Sequence, residues 1–280
     1  MDILNYFINF PQLEITSEKY PFKSFDFLEE DISDTDFNFP KHLIMGMQAE
    51  ACFRAYLQTS KNYELLVSNL QIYGSHKILL ADQVPCKKSN ERETLGELDF
   101  IVRNLINNKT SHIELACKFY LYDFKAGIFE EEKWIGPNRK DRLSEKLQKI
   151  CKRQFPILHQ PETIHRLQEL EIPHPTEQFL CLKAFLFIPK ELEISTLSLE
   201  FQNCVMGYWI RESDFNFEDT NALYSIPHKR EWLLPYNKIA NWISFSQAKN
   251  EITNLIKQNK SPLIYRKQSD KIDAFFVVWW

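Results

Sequence analysis

Residues 42–58, HLIMGMQAEACFRAYLQ, space their apolar side chains as a helix does. Leu43, Met47, Ala51 and Ala55 recur every four positions, and Phe53, Tyr56 and Leu57 widen the stripe. Glu50 stands at mid-helix among small and apolar neighbours. Strand-like runs follow at 63–67 (YELLV), 70–74 (LQIYG) and 77–81 (KILLA), and then a polar, loop-like stretch over 85–95. The period then changes to two. In GELDFIVR (96–103), Leu98, Phe100 and Val102 point one way and Glu97, Asp99, Ile101 and Arg103 the other. In HIELACKFYLY (112–122), Ile113, Leu115, Cys117, Phe119 and Leu121 alternate with His112, Glu114, Ala116, Lys118 and Tyr120. The polar link between these runs makes them a predicted β-hairpin. Gly136-Pro137-Asn138 then marks a turn into a helix over 139–153, whose buried stripe is Leu143, Leu147, Ile150 and Cys151. A short helix over 161–170 leads to FLCLKAFLFI (179–188), apolar on both faces as an internal strand is.

The ends read differently. Residues 1–40 form an arm, with six acids and no base between Asp26 and Asp36. From 190 the chain is rich in aromatics, with strand-like CVMGYWI, PLIYR and AFFVVWW and a helix over 245–258 capped by Ser244 and Gln247. The expected division is therefore an arm (1–40), a core (41–189) and a C-terminal extension or subdomain (190–280). The expected class is α/β, or α+β on a stricter count: a mixed sheet flanked by helices.

Composition narrows the chemistry. Of 280 residues only 6 are glycine, where average usage gives about 20. Neither the dinucleotide fingerprint nor the phosphate-binding P-loop is present, which argues against enzymes that cradle phosphates on glycine loops. The six cysteines make no C-x-x-C pair, and several lie in apolar runs, so reduced thiols and a cytoplasmic address are expected. No apolar stretch reaches the roughly 18 residues that span a bilayer, so no membrane partner is expected. The net charge of −4 leaves any nucleic-acid surface to be local. The helix over 139–153 supplies one candidate, with seven basic residues against two acids. Arg139, Lys140, Arg142, Lys146, Lys149 and Arg153 are the expected backbone contacts.

Asp99 and Glu114 share the polar side of the hairpin. Two neighbouring carboxylates repel, and a divalent cation relieves them, since hard oxygens suit Mg²⁺ and Mn²⁺. An ammonium beside them can stabilise charge developing on a phosphate. GELDFIV followed by a strand bearing Glu and Lys resembles the core of the PD-(D/E)XK nuclease superfamily, whose α-β-β-β-α-β order matches the order above. HIELACKFYL with WIGPNRKDRLSEKL resembles, more narrowly, the bacterial DUF1853 family, which is grouped with those nucleases. The resemblance implies a restriction-endonuclease-like core and a Mg²⁺- or Mn²⁺-dependent nuclease or phosphodiesterase acting on DNA or RNA. It implies catalytic roles for Glu50, Asp99, Glu114 and Lys118, with Asp99 and Glu114 as metal ligands. The alternative is a catalytically silent nucleic-acid-binding or protein-interaction module on the same fold.

One departure bears on the lysine. The superfamily spaces its Glu and Lys two residues apart, but here Ala116 holds that place. Four residues put the Glu114 and Lys118 α-carbons about 13 Å apart, against about 7 Å for two. Lys118 reaches back, a bulge closes the gap, or another lysine, for which Lys146 is the candidate, takes the place.

Overall fold

The computed structural model describes residues 3–28, 37–74, 93–216, 221–239 and 241–280. In chain order the elements are α1 (Ile3–Ile8), β1 (Thr16–Ser17), β2 (Tyr20–Pro21), α2 (Met45–Thr59), β3 (Tyr63–Tyr73), β4 (Thr94–Asn104), β5 (Thr110–Tyr122), β6 (Trp134–Ile135), α3 (Leu143–Lys149), α4 (Pro161–Glu169), β7 (Glu177–Pro189), α5 (Leu199–Gln202), β8 (Val205–Arg211), β9 (Leu223–Ser225), α6 (Phe245–Ile256), β10 (Leu263–Gln268) and β11 (Lys271–Val278). The expected KILLA strand and most of the acidic run lie outside the described residues.

One mixed sheet organises the chain. Its order is β3-β4-β5-β7-β8-β11-β10-β9, with β6 pairing off the path onto β5. β5, β7, β8 and β11 run parallel, and β3, β4, β9 and β10 pair antiparallel. Parallel neighbours need a crossover, and the segment that carries α3 and α4 supplies the one from β5 to β7. The central strands are accordingly buried on both sides. From β7, Cys181, Phe185 and Phe187 join a core that includes Phe53 and Tyr56 of α2, while Leu182, Ala184 and Leu186 join a second core with Leu143, Leu147 and Ile150.

The arm is part of this structure. Leu13 N–H donates to Leu182 O at 2.8 Å, and Leu180 N–H to Lys23 O at 2.8 Å, so the arm hydrogen-bonds along β7. The buried Lys183 ammonium donates to the carbonyls of Ile8 and Phe10, both at 2.8 Å. The sheet also runs past residue 189 without a break, because β8 pairs with β7 on one side and β11 on the other.

The β5 face carrying Glu114, Ala116 and Tyr120 is covered, because the crossover packs onto it. Strict alternation in β4 fails at Asp99. Phe100 and Val102 lie in the core beneath α2, but Leu98 packs with Ile101, Leu70 and Leu158. Opposite it in β3, Asn69 has φ of 53°, a left-handed conformation that turns its own strand at the same rung.

Candidate active site

β4 and β5 pair from Arg103↔Thr110 to Phe100↔Ile113, and their ladder ends there. The next position on β4 is Asp99. Its Oδ2 accepts the Leu115 N–H at 2.9 Å, so a side chain takes a donor that a continued ladder would satisfy with backbone. Glu114 lies beside it, fully buried, within hydrogen-bonding reach of the Asp99 carboxyl. The two acids thus meet where the sheet parts.

Two neighbours, His112 and Gln154, hold Glu114. His112 Nε2 lies 3.1 Å from Oε1. Gln154 Nε2 donates to Oε2, and Gln154 Oε1 accepts from the Lys146 ammonium at 2.9 Å. Behind His112, Gln178 Nε2 lies 3.0 Å from Nδ1 and donates to Phe155 O at 2.9 Å. A Gln178 donor on Nδ1 leaves the ring proton on Nε2, directed at Glu114.

Burial sets the charges. It pushes Asp99 up to about 7, and the Glu114 charge adds to this. The Leu115 N–H and Lys146 pull Asp99 down, while Glu50 raises it slightly. Burial likewise pushes Glu114 up to about 7 against the pull of Lys146 and of the hydrogen bond from Asp99. The pair therefore favours one shared proton over two charges. Burial holds His112 at about 4, so its ring is neutral. Burial also lowers Lys146, which Glu114 and Asp99 draw back up.

Among the described lysines, Lys146 acts on both carboxylates. Lys118 points elsewhere: its ammonium pairs with Asp141 at 2.8 Å, and both side chains are well exposed. Glu50 comes from α2, where Oε2 accepts from Asn69 Nδ2 at 3.0 Å. Glu97 accepts from Gln71 at 2.7 Å. The basic segment divides. Lys140, Lys149 and Arg153 are exposed. Arg139 pairs with Asp123 at 2.8 Å and lies over the Trp280 ring at 4.5 Å, while Arg142 donates to Ala126 O at 2.8 Å.

The family model for a domain of unknown function, DUF1853, matches residues 18–274. The chain belongs to the DUF1853 family. No curated protein and no solved structure matches it. No helix among the described residues of this DUF1853 protein is long and apolar enough to cross a membrane.

The donor set can be tested against the cation implied by the nuclease resemblance. Among the described residues no group of three or more His, Cys, Asp or Glu is arranged to hold a metal ion. Asp99 and Glu114 do supply two hard oxygen donors in surroundings that disfavour two uncompensated negative charges. That suits Mg²⁺ or Mn²⁺, which are held by one or two carboxylates and keep several waters. His112, Gln154, Gln178 and Asn69 were missed from sequence. His112 and Glu114 lie two apart on one strand face, a parity that read alongside Glu114 would have flagged the histidine. Gln154 gave no local signal, because its position depends on how the helix winds.

Proposed function

We propose that this DUF1853 protein is a Mg²⁺- or Mn²⁺-dependent nuclease, or nuclease-like phosphodiesterase, of PD-(D/E)XK type. What carries the reading is the convergence of one buried carboxyl, one half-buried carboxyl and a half-buried ammonium at the fork between β4 and β5. Asp99 and Glu114 would hold the cation, which supplies an activated water and neutralises charge on a phosphodiester. Lys146 acts on both carboxylates and would stabilise the charge that develops on the phosphate. Gln154 keeps that ammonium beside Glu114, and His112 fixes the Glu114 carboxylate. In this reading Lys146, not Lys118, is the site lysine. Lys149 and Arg153 stand exposed on the same segment, where a nucleic-acid backbone would pass.

A catalytically silent nucleic-acid-binding module is the second reading. It is favoured by the hydrogen bonds already made to both Glu114 oxygens and by the absence of a three-ligand cluster among the described residues.

The test is cleavage of labelled single- and double-stranded DNA and of RNA with each metal. Asp99→Asn and Lys146→Ala are expected to lose at least 100-fold in rate, and Lys118→Ala less than fivefold, as an exposed ion pair should. Metal-dependent stabilisation without cleavage of any substrate would select the silent module. Equal loss from the two lysine variants would remove Lys146 from its role.

A further inference from the structure

Asn69 lies at the middle of the eleven-residue strand β3 with φ of 53°. Extended strands do not use that conformation, and after glycine it is asparagine and aspartate that adopt it at least cost. The residue falls between the pairs Ser68↔Phe100 and Leu70↔Leu98, which sets it opposite Asp99. Alternation switches in both strands at this point, with Phe100 in one core and Leu98 and Leu70 in another. The backbone irregularity and the candidate acid therefore share one rung of the sheet.

Glycine would supply the left-handed turn more cheaply, so the amide needs its own reason. It has partners at both ends. Nδ2 donates to Glu50 Oε2 at 3.0 Å, and Oδ1 accepts from Arg54 Nη2. Arg54 thus spends an Nη donor on Asn69 while its buried Nε has no hydrogen-bond partner. Glu50 and Asp99 are like charges that separate unless something holds them. Backbone outliers of this kind persist where the surrounding structure over-determines them, and they cluster at functional sites.

We infer that Asn69 is a positioning residue: its backbone turn releases Asp99 from the ladder toward Leu115, and its side chain holds the Glu50 carboxylate beside Asp99. The inference rests on the nuclease-type reading of the Asp99–Glu114 pair.

The test uses the full chain, with Mn²⁺ binding by calorimetry and Mn²⁺-dependent cleavage as readouts. Asn69→Gly keeps the turn and removes the amide. Asn69→Asp keeps the turn and sets a carboxylate against Glu50. Both should fold, as judged by circular dichroism and melting, because the left-handed conformation stays accessible. Mn²⁺ affinity is expected to fall about 10- to 100-fold, as for other residues that orient metal-site carboxylates, with the Asp variant the weaker. In cleavage, kcat should drop more than KM rises. In a Glu50→Gln background Asn69→Gly should add little, since the group it positions has already changed. Wild-type Mn²⁺ affinity in Asn69→Gly, or an equal loss in both backgrounds, would make Asn69 a strand residue only. A wild-type chain that neither binds Mn²⁺ nor cleaves would instead overturn the reading of the site itself.

Discussion

Two carboxyls that titrate near 7 in the folded chain and near 4 when unfolded make the native state the better proton binder between those values. Stability contributed by that difference is present at low pH and is lost as pH rises from about 4 to about 7. His112 acts in the opposite sense. Its folded value of about 4 lies below the unfolded one, so its contribution is lost as pH falls through that range. Asn at position 99 resembles a permanently protonated Asp and can still accept the Leu115 N–H. Without divalent cations, Asp99→Asn is therefore expected to melt several degrees above wild type at pH 8, with the two converging at pH 4. Saturating Mn²⁺ should reverse the order at pH 8, because only the wild type retains the charge that binds it; at 100 times Kd, binding is worth about 2.7 kcal/mol. Thermal melts at three pH values, with and without Mn²⁺, check both parts. A higher wild-type midpoint in metal-free buffer at pH 8 would contradict the assigned burial cost. Asp99 and Glu114 could be paired from sequence because strand parity is local and survives folding. Lys118 could not be judged that way, since its partner Asp141 arrives from a turn more than twenty residues on.

The segment after β6 shows how winding, rather than residue type, completes the site. α3 passes into a π-helical turn over Ile150–Gln154, where Phe155 N–H reaches back to Ile150 O at 2.9 Å. In a regular α-helix Lys146 and Gln154 would point about 80° apart, with Gln154 on the apolar stripe of Leu143 and Ile150. A π turn advances about 82° per residue in place of 100°, which brings the two within about 10° of each other. This is why the helix expected over 139–153 was legible as an amphipathic segment while Gln154 was not. The entry differed as well, because 136–141 form a closed turn. Gly136 N–H bonds Asp141 O at 2.8 Å, and regular helix begins only at Leu143. Removal of one residue from the π turn leaves seven steps between Lys146 and the glutamine, about 20° apart in an α-helix. Deletion of Cys151, which is half-buried, is therefore expected to preserve folding and at least a tenth of the cleavage rate. Deletion of Ser144, ahead of Lys146, should instead rotate the ammonium by about 100° and abolish cleavage. Comparable activity in the two deletions would show that the π turn does not set this geometry.

At the scale of the molecule, the C-terminal third belongs to the same sheet as the site. Ser261 N–H donates to Asn138 Oδ1 at 2.8 Å and Trp280 Nε1 to Pro137 O at 3.1 Å, so the end of the chain grips the turn that opens the basic segment. The aromatics of 190–280 were legible as core material. Their attachment to the first two thirds was not, because parallel pairing of β8 with β7 and β11 joins residues far apart in sequence. Gly207 lies at that junction. A Cβ there would meet Ala274 O of β11 at 2.0 Å and the Phe187 ring of β7 at 3.1 Å, so a methyl group must push backbone apart on one side and press a core ring on the other. Overpacking of this kind costs typically about 1–3 kcal/mol. Because Gly207 is bounded by elements from both sides of residue 190, Gly207→Ala should lower a single melting transition by a few degrees, and the near-ultraviolet and far-ultraviolet signals should move together. Two separated transitions, with only the later-sequence aromatics melting early, would mean that residues 190–280 fold as a unit of their own despite the shared sheet.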